Sequence, residues 1–156
     1  MKGDARVIEV LADLLSAELT AINQYFVHAE MCENWGYDYL HEVTRSRAIA
    51  EMKHAEEIID RILYFEGAPN VSRYYAIHIG DTVSKMLAND LAAEKDAVER
   101  YNRGVAVARE AGDNGTRELL EDILEDEEEH ANTLEAHLTQ IQQMGLENYL
   151  ANLVRK

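Results

Sequence analysis

Proline is nearly missing from this chain of 156 residues: Pro69 is the only one, so long uninterrupted helices are permitted on both sides of it. Cysteine is as scarce. Cys32 stands alone, which excludes an internal disulfide, fits a reducing compartment and makes a small core residue its ordinary role. Lysine and arginine together number 15 against 30 acidic residues, and the formal net charge of -15 repels a nucleic-acid backbone on average. Small cations are the favoured partners. Long apolar runs are also absent, which excludes a bilayer span, and the opening MKGDARVIEVLADLL breaks its apolar pattern with acidic residues, unlike a secretory signal. Strand signals are nearly lacking. With 47% hydrophobic residues, the expectation is one all-α domain over residues 1–156 in the cytoplasm, without membrane or nucleic-acid partners.

Apolar residues recur at steps of three and four from Ile8 through Leu11, Leu15, Ile22 and Tyr25 to Ala29, the mark of one helix face, with Glu18 inside the stripe. Asn34 and Gly36 supply a stop. A second helix is expected from about Tyr39 to Phe65, its inner stripe holding Glu51, His54, Ile58 and Ile62. Asp81 or Thr82 can cap a third, which carries Leu87, Leu91, Glu94, Val98 and Tyr101 inward. After the tight turn AGDNG, residues 111–115, a fourth helix turns Leu120, Ile123, Leu134 and Leu138 to the core, interrupted by Glu127 and His130. Gly145 then breaks the chain before a short fifth helix. Four helices of about 40 Å at 1.5 Å per residue make a four-helix bundle. The stretch from Phe65 to Thr82 is too long for an ordinary bundle loop and favours a crossover along the bundle.

The chemistry lies in a repeat. Glu18 and Glu94, Glu51 and Glu127, His54 and His130, and Tyr25 and Tyr101 are each 76 residues apart. Within each half the two glutamates are 33 apart, centred on the predicted turn near Asn34 or Glu110, so folding each hairpin brings its glutamates level. Four carboxylates and two imidazoles then converge at one height inside the bundle, where uncompensated negative charge is prohibitively costly to bury. Two divalent cations neutralise the set, and each imidazole adds a nitrogen ligand without adding charge. Iron, manganese and zinc all suit such ligands. Tyr25 and Tyr101 lie two turns beyond Glu18 and Glu94 on the same faces, which lets their hydroxyls reach ligand carboxylates or sit in the core as ordinary tyrosines. One glutamate from each of two helices with Glu-x-x-His from the other two resembles the ferritin-like di-iron and di-manganese carboxylate proteins.

Along its whole length the chain resembles the bacterioferritin family. The resemblance rests on the opening segment to Met31, then EMKHAEE, IGDTVSKML, EDEEEH and QMGLENYL, in that order. The double Glu-x-x-His sets it apart from non-haem ferritins, which keep one such motif, and a single cysteine cannot build the four-cysteine iron domain that usually accompanies rubrerythrin-like peroxidases. The resemblance implies that Glu18, Glu51, His54, Glu94, Glu127 and His130 form a ferroxidase centre for two iron ions per subunit, with Glu51 and Glu127 bridging, Glu18 and Glu94 terminal, and Tyr25 alongside. It implies oxidation of iron(II) by O2 or H2O2 and storage of ferric mineral in a shell of 24 subunits. It also implies a b-type haem between two subunits, one per dimer, ligated by Met52 of each, with electrons for iron release from a ferredoxin-type donor. Met52 follows Glu51 and lies about 100° round the helix from it, so it can face a partner while Glu51 faces inward. Filling a dimer contact is the simpler role for this methionine.

Ser46 and Ala50 stand where some family members have a histidine and an aspartate for an inner-surface iron site, and Thr133 stands where some have a tryptophan. That inner site is not expected here, and the route of electrons and iron from the centre stays open: His130 swings as a gate, or the metal pair stays bound as a cofactor. Glu125, Glu128 and Glu129 read as a solvated face, His28, His41, His78 and His137 as surface or packing residues, and Trp35 as a packing anchor or interface residue. Two other readings remain, a small di-iron oxidase without mineral and a metal-free helical module with buried charge.

Overall fold

The computed structural model describes residues 1–154. Four long helices, α1 (Ala5–Asn34), α2 (Asp38–Tyr64), α3 (Val83–Glu110) and α4 (Asn114–Met144), are followed by the six-residue α5 (Leu146–Ala151), and no strand occurs among the described residues. Their starts are chemically marked. Asp4 accepts a hydrogen bond from the Arg6 amide, Thr82 from the Lys85 amide and Asp113 from the Thr116 amide, each satisfying an amide that the first helical turn leaves free. Asp81, the other capping candidate, pairs instead with Lys85 on the surface at 3.1 Å.

The two hairpin turns are copies of one another. Gly36 and Gly112, again 76 residues apart, take φ values of +84° and +70°. Each follows a helix whose last carbonyls are closed alike: Tyr37 N to Cys32 O and Asp113 N to Ala108 O, both 2.9 Å. That left-handed residue reverses the chain at no steric cost only when it lacks a Cβ, so the glycine fixes where each hairpin folds. α1 packs on α2 and α3 on α4, and the hairpins meet chiefly through α1 and α3.

Residues 65–82 form the expected crossover, without helix of their own. Its backbone is held by one row of α1 side chains at four-residue spacing. Thr20 Oγ1 accepts from the Tyr75 amide at 2.9 Å, Gln24 Oε1 from the His78 amide at 3.0 Å and His28 Nε2 from the Gly80 amide at 3.0 Å. Tyr75 is fixed further by its hydroxyl bond to Asp13, which also pairs with Arg100 at 2.7 Å.

The core comes in two apolar layers. Leu11, Leu15, Ile58, Ile62, Leu120 and Ile123 belong to one, which includes the first turns of α1; Cys32, Leu40, Met86, Leu87, Leu134 and Tyr149 belong to the other, which α5 closes. Each fully buried Leu or Ile contributes about 1.5 to 3 kcal/mol of transfer free energy. Cys32 is buried as expected, and burial pushes its thiol up to about 12, so it packs as an unreactive apolar group. The repeat's polar side chains lie between the layers.

Candidate metal centre

Glu18, Glu51, Glu94 and Glu127 are each only 1% exposed, one on each long helix, with His54 at a side-chain exposure of 4% and His130 at 18%. Helix spacing aims them: Glu51 and His54, like Glu127 and His130, are three residues apart and so lie on one helical face. Two overlapping groups result. Glu18, Glu51, His54 and Glu127 bring ligand-capable atoms within 4.8 Å of one another, and so do Glu51, Glu94, Glu127 and His130. Glu51 and Glu127 belong to both.

Hydrogen bonding separates the roles within the set. Tyr25 donates to Glu94 Oε1 at 2.5 Å and Tyr101 to Glu18 Oε1 at 2.7 Å, so each tyrosine reaches across from its own helix to the carboxylate of the other hairpin. The second oxygen of each of these carboxylates, Glu94 Oε2 and Glu18 Oε2, is buried without a hydrogen-bond partner. Glu51 has neither oxygen bonded, and Glu127 Oε1, His54 Nδ1 and His130 Nδ1 are likewise orphaned. Outside these six residues, Arg47 Nη2 is the one buried side-chain polar atom among the described residues in that condition.

The imidazole nitrogens do face carboxylates: His54 Nδ1 lies 3.4 Å from Glu127 and 3.5 Å from Glu18, and His130 Nδ1 lies 3.0 Å from Glu51 and 3.3 Å from Glu127. Those separations place opposite charges together without hydrogen-bond alignment. Native interiors rarely leave several adjacent polar atoms unpaired, and a cluster of inward lone pairs is what a cation satisfies.

Proton affinities tell the same story. Burial raises the Glu51 and Glu127 carboxyls well above their usual range, and the neighbouring carboxylates push them further. Burial opposes charge on His54, yet Glu18, Glu127 and Asp126 outweigh it and raise the ring to about 10; Glu127 and Glu94 raise His130 to about 9 in the same way. Tyr25 and Tyr101 are raised well above 10 by burial and by the facing carboxylates, so both stay protonated donors. Without a cation the cluster must hold protons.

A cavity of about 290 Å³ lies under the crossover, where Tyr75 and His78 share its lining with the four glutamates. Alanines, among them Ala17, Ala21, Ala93 and Ala97, supply much of its wall and keep it open.

The chain matches the Ferritin-like domain family over residues 8–144. It is 42% identical over 156 residues to a bacterioferritin of Mycolicibacterium paratuberculosis and 44% identical to one of Mycobacterium tuberculosis, in each case covering 100% of this chain and 98% of the relative. A bacterioferritin of Streptomyces coelicolor is 40% identical, with 100% of this chain and 93% of the relative covered. The chain belongs to the bacterioferritin family. Bacterioferritin kinship and the four-helix bundle therefore agree with the expectations drawn from the residues.

Several polar residues that matter here escaped the sequence reading. His54 Nε2 is 2.8 Å from Asp126, a bond between residues 72 apart that no periodicity marks. Of the two roles expected for His28, surface or packing, it takes the second: it is fully buried, 2.8 Å from Asp90, which also accepts from Gln24 and pairs with Arg47. Sequence spacing makes Thr20, Gln24 and His28 look like a solvent row because nothing in the sequence shows that the crossover covers it. His137 packs in the interior against the Tyr149 hydroxyl at 2.7 Å, His41 bonds the Ala29 carbonyl at 2.8 Å, and the His78 side chain is exposed. Glu125, Glu128 and Glu129 lie on the exposed face, and Trp35 packs edge-on against Tyr37. Met52 is 49% exposed on α2. No described helix is long and apolar enough to cross a membrane.

Proposed function

We propose that this protein is an iron-storage ferroxidase of the bacterioferritin type: it oxidises iron(II) at a paired metal site and keeps ferric mineral inside a 24-subunit shell in the cytoplasm. The observation that carries this reading is the convergence of seven orphaned buried ligand atoms from six residues on one space between the helices. In this reading Glu18 and His54 hold one iron, Glu94 and His130 the other, and Glu51 and Glu127 bridge them. Glu51, with both oxygens unpartnered, suits a bridge, whereas Glu18 and Glu94 each keep one oxygen on a tyrosine and offer the other.

Iron(II) is the substrate. Two iron(II) ions give up one electron each, reducing O2 with two protons to H2O2, or H2O2 with two protons to two waters. The residues' part is to bind and orient both ions together, which makes the two-electron step available. His54 and His130 must first release their protons, as metal ligation requires the neutral ring. Tyr25 and Tyr101 hold the terminal carboxylates in place, and their high proton affinity keeps them donors throughout.

Haem fits as a second group. Met52 of two copies would hold it, and its exposed thioether is a suitable soft ligand. When bound, haem supplies one-electron transfer for reductive release, with a ferredoxin-type protein as donor.

Replacement of Glu94 by Ala tests the centre. The variant is expected to keep its helical circular dichroism in the metal-free form while losing at least about a hundredfold in the rate of iron(II) oxidation, as for removal of a group that holds a reacting centre. Retention of the rate would contradict the reading.

A further inference from the structure

The two halves of the centre match at the 76-residue offset almost everywhere. Glu18, Tyr25, Glu51 and His54 recur as Glu94, Tyr101, Glu127 and His130, and the turn glycines recur with them. Asp126 breaks the match. It sits on α4 just before Glu127 and lies 2.8 Å from His54 Nε2, whereas the position 76 residues earlier, the one that would face His130, is Ala50. Among the described residues His130 makes no hydrogen bond through Nε2, and its side chain is 18% exposed against 4% for His54.

The consequence follows from how an imidazole binds a metal. Nδ1 of each ring faces the carboxylates, so it is the ligating atom, and its lone pair is available only when the proton sits on Nε2. A carboxylate that accepts the Nε2 proton fixes that tautomer, fixes the plane of the ring and makes Nδ1 more basic. Asp126 does all three for His54. Nothing described does so for His130, which must be ordered each time a metal binds there.

We propose that Asp126 is a positioning residue that makes the two metal positions unequal: the position built on Glu18 and His54 fills first and holds a divalent cation more tightly than the one built on Glu94 and His130. This rests on the paired-metal reading above and adds an order of loading to it. Loss of such an outer partner costs about 10- to 100-fold in metal affinity, which sets the expected gap between the two positions.

The test is an anaerobic titration of the full-length assembled protein with cobalt(II), followed by its visible absorption. Two steps per chain, at least about tenfold apart in affinity, are expected. His54→Ala should remove the tighter step and His130→Ala the weaker, which assigns them. Asp126→Ala should weaken the tighter step by about 10- to 100-fold and draw the two together, and Ala50→Asp, which places a carboxylate at the repeat-related position, should tighten the weaker one. Asp126 has 55% of its side chain exposed, so its loss is not expected to disturb the fold, and circular dichroism checks this. Coincident steps in the unaltered protein overturn the proposal. So does a separation that Asp126→Ala leaves as it was, since repulsion through the shared Glu51 and Glu127 alone produces that result. A protein that takes up no cobalt overturns the paired-metal reading itself, a failure distinct from unequal positions.

Discussion

His54 and His130 hold their protons far more tightly in the folded chain than in the unfolded one, and Glu51 and Glu127 do the same. The stability gained from binding those protons is complete below the unfolded values, near 4.5 for the carboxyls and 6.5 for the imidazoles; the carboxyls' share is lost as pH rises through their raised folded values, and the imidazoles' share as pH rises towards about 9 for His130 and about 10 for His54. Metal-free protein should therefore melt at progressively lower temperature from pH 6 to pH 10. Zinc(II) must displace the same protons, so the gap in melting temperature between loaded and metal-free protein should widen from pH 5 to pH 8. Melting curves across that range check both trends, and a constant gap contradicts them. All six candidate ligands could be found from the sequence because their spacing is periodic and duplicated. Asp126 could not, because a surface aspartate that reaches a ring 72 residues away leaves no periodic trace.

The long helices were readable because apolar stripes and caps act within a few residues; α2 runs Asp38–Tyr64 where the pattern indicated about Tyr39 to Phe65. The crossover was foreseen by its length alone, and its path was not. What holds it is a row of side chains on a different element, and such partners are set by tertiary packing. Thr20 is the best place to probe this, since its hydroxyl both accepts from the Tyr75 amide and donates to the Ser16 carbonyl at 2.7 Å. Thr20→Val keeps the shape and removes both bonds. About 1 kcal/mol of local stability should go with the amide bond, seen as a several-fold faster exchange of the Tyr75 amide, while the α1 and α2 amides keep their protection. Unchanged exchange at Tyr75 would show that the crossover is held elsewhere. Gly80, at the end of that segment, has no room for a side chain: a Cβ there would overlap the backbone nitrogen of Met86.

As a whole, the molecule is two like hairpins closed around a polar layer, with apolar packing on both sides of it. Charge of one sign dominates its composition, and four buried carboxylates, one from each long helix, concentrate that sign at one place in the interior. Assembly and haem bring the remaining expectations. If haem is held as proposed, Met52→Leu should abolish the haem absorption band of the purified protein, and a band retained at full intensity would remove Met52 as the ligand. The most direct test of the account is to load the metal-free protein anaerobically with increasing iron(II), admit air, and follow oxidation together with particle size. Paired binding at Glu18, Glu51, His54, Glu94, Glu127 and His130 predicts a fast phase that saturates at two irons per chain, then slower accumulation of many more inside a shell-sized particle. A fast phase that saturates at one iron per chain, or no fast phase at all, would contradict the paired centre.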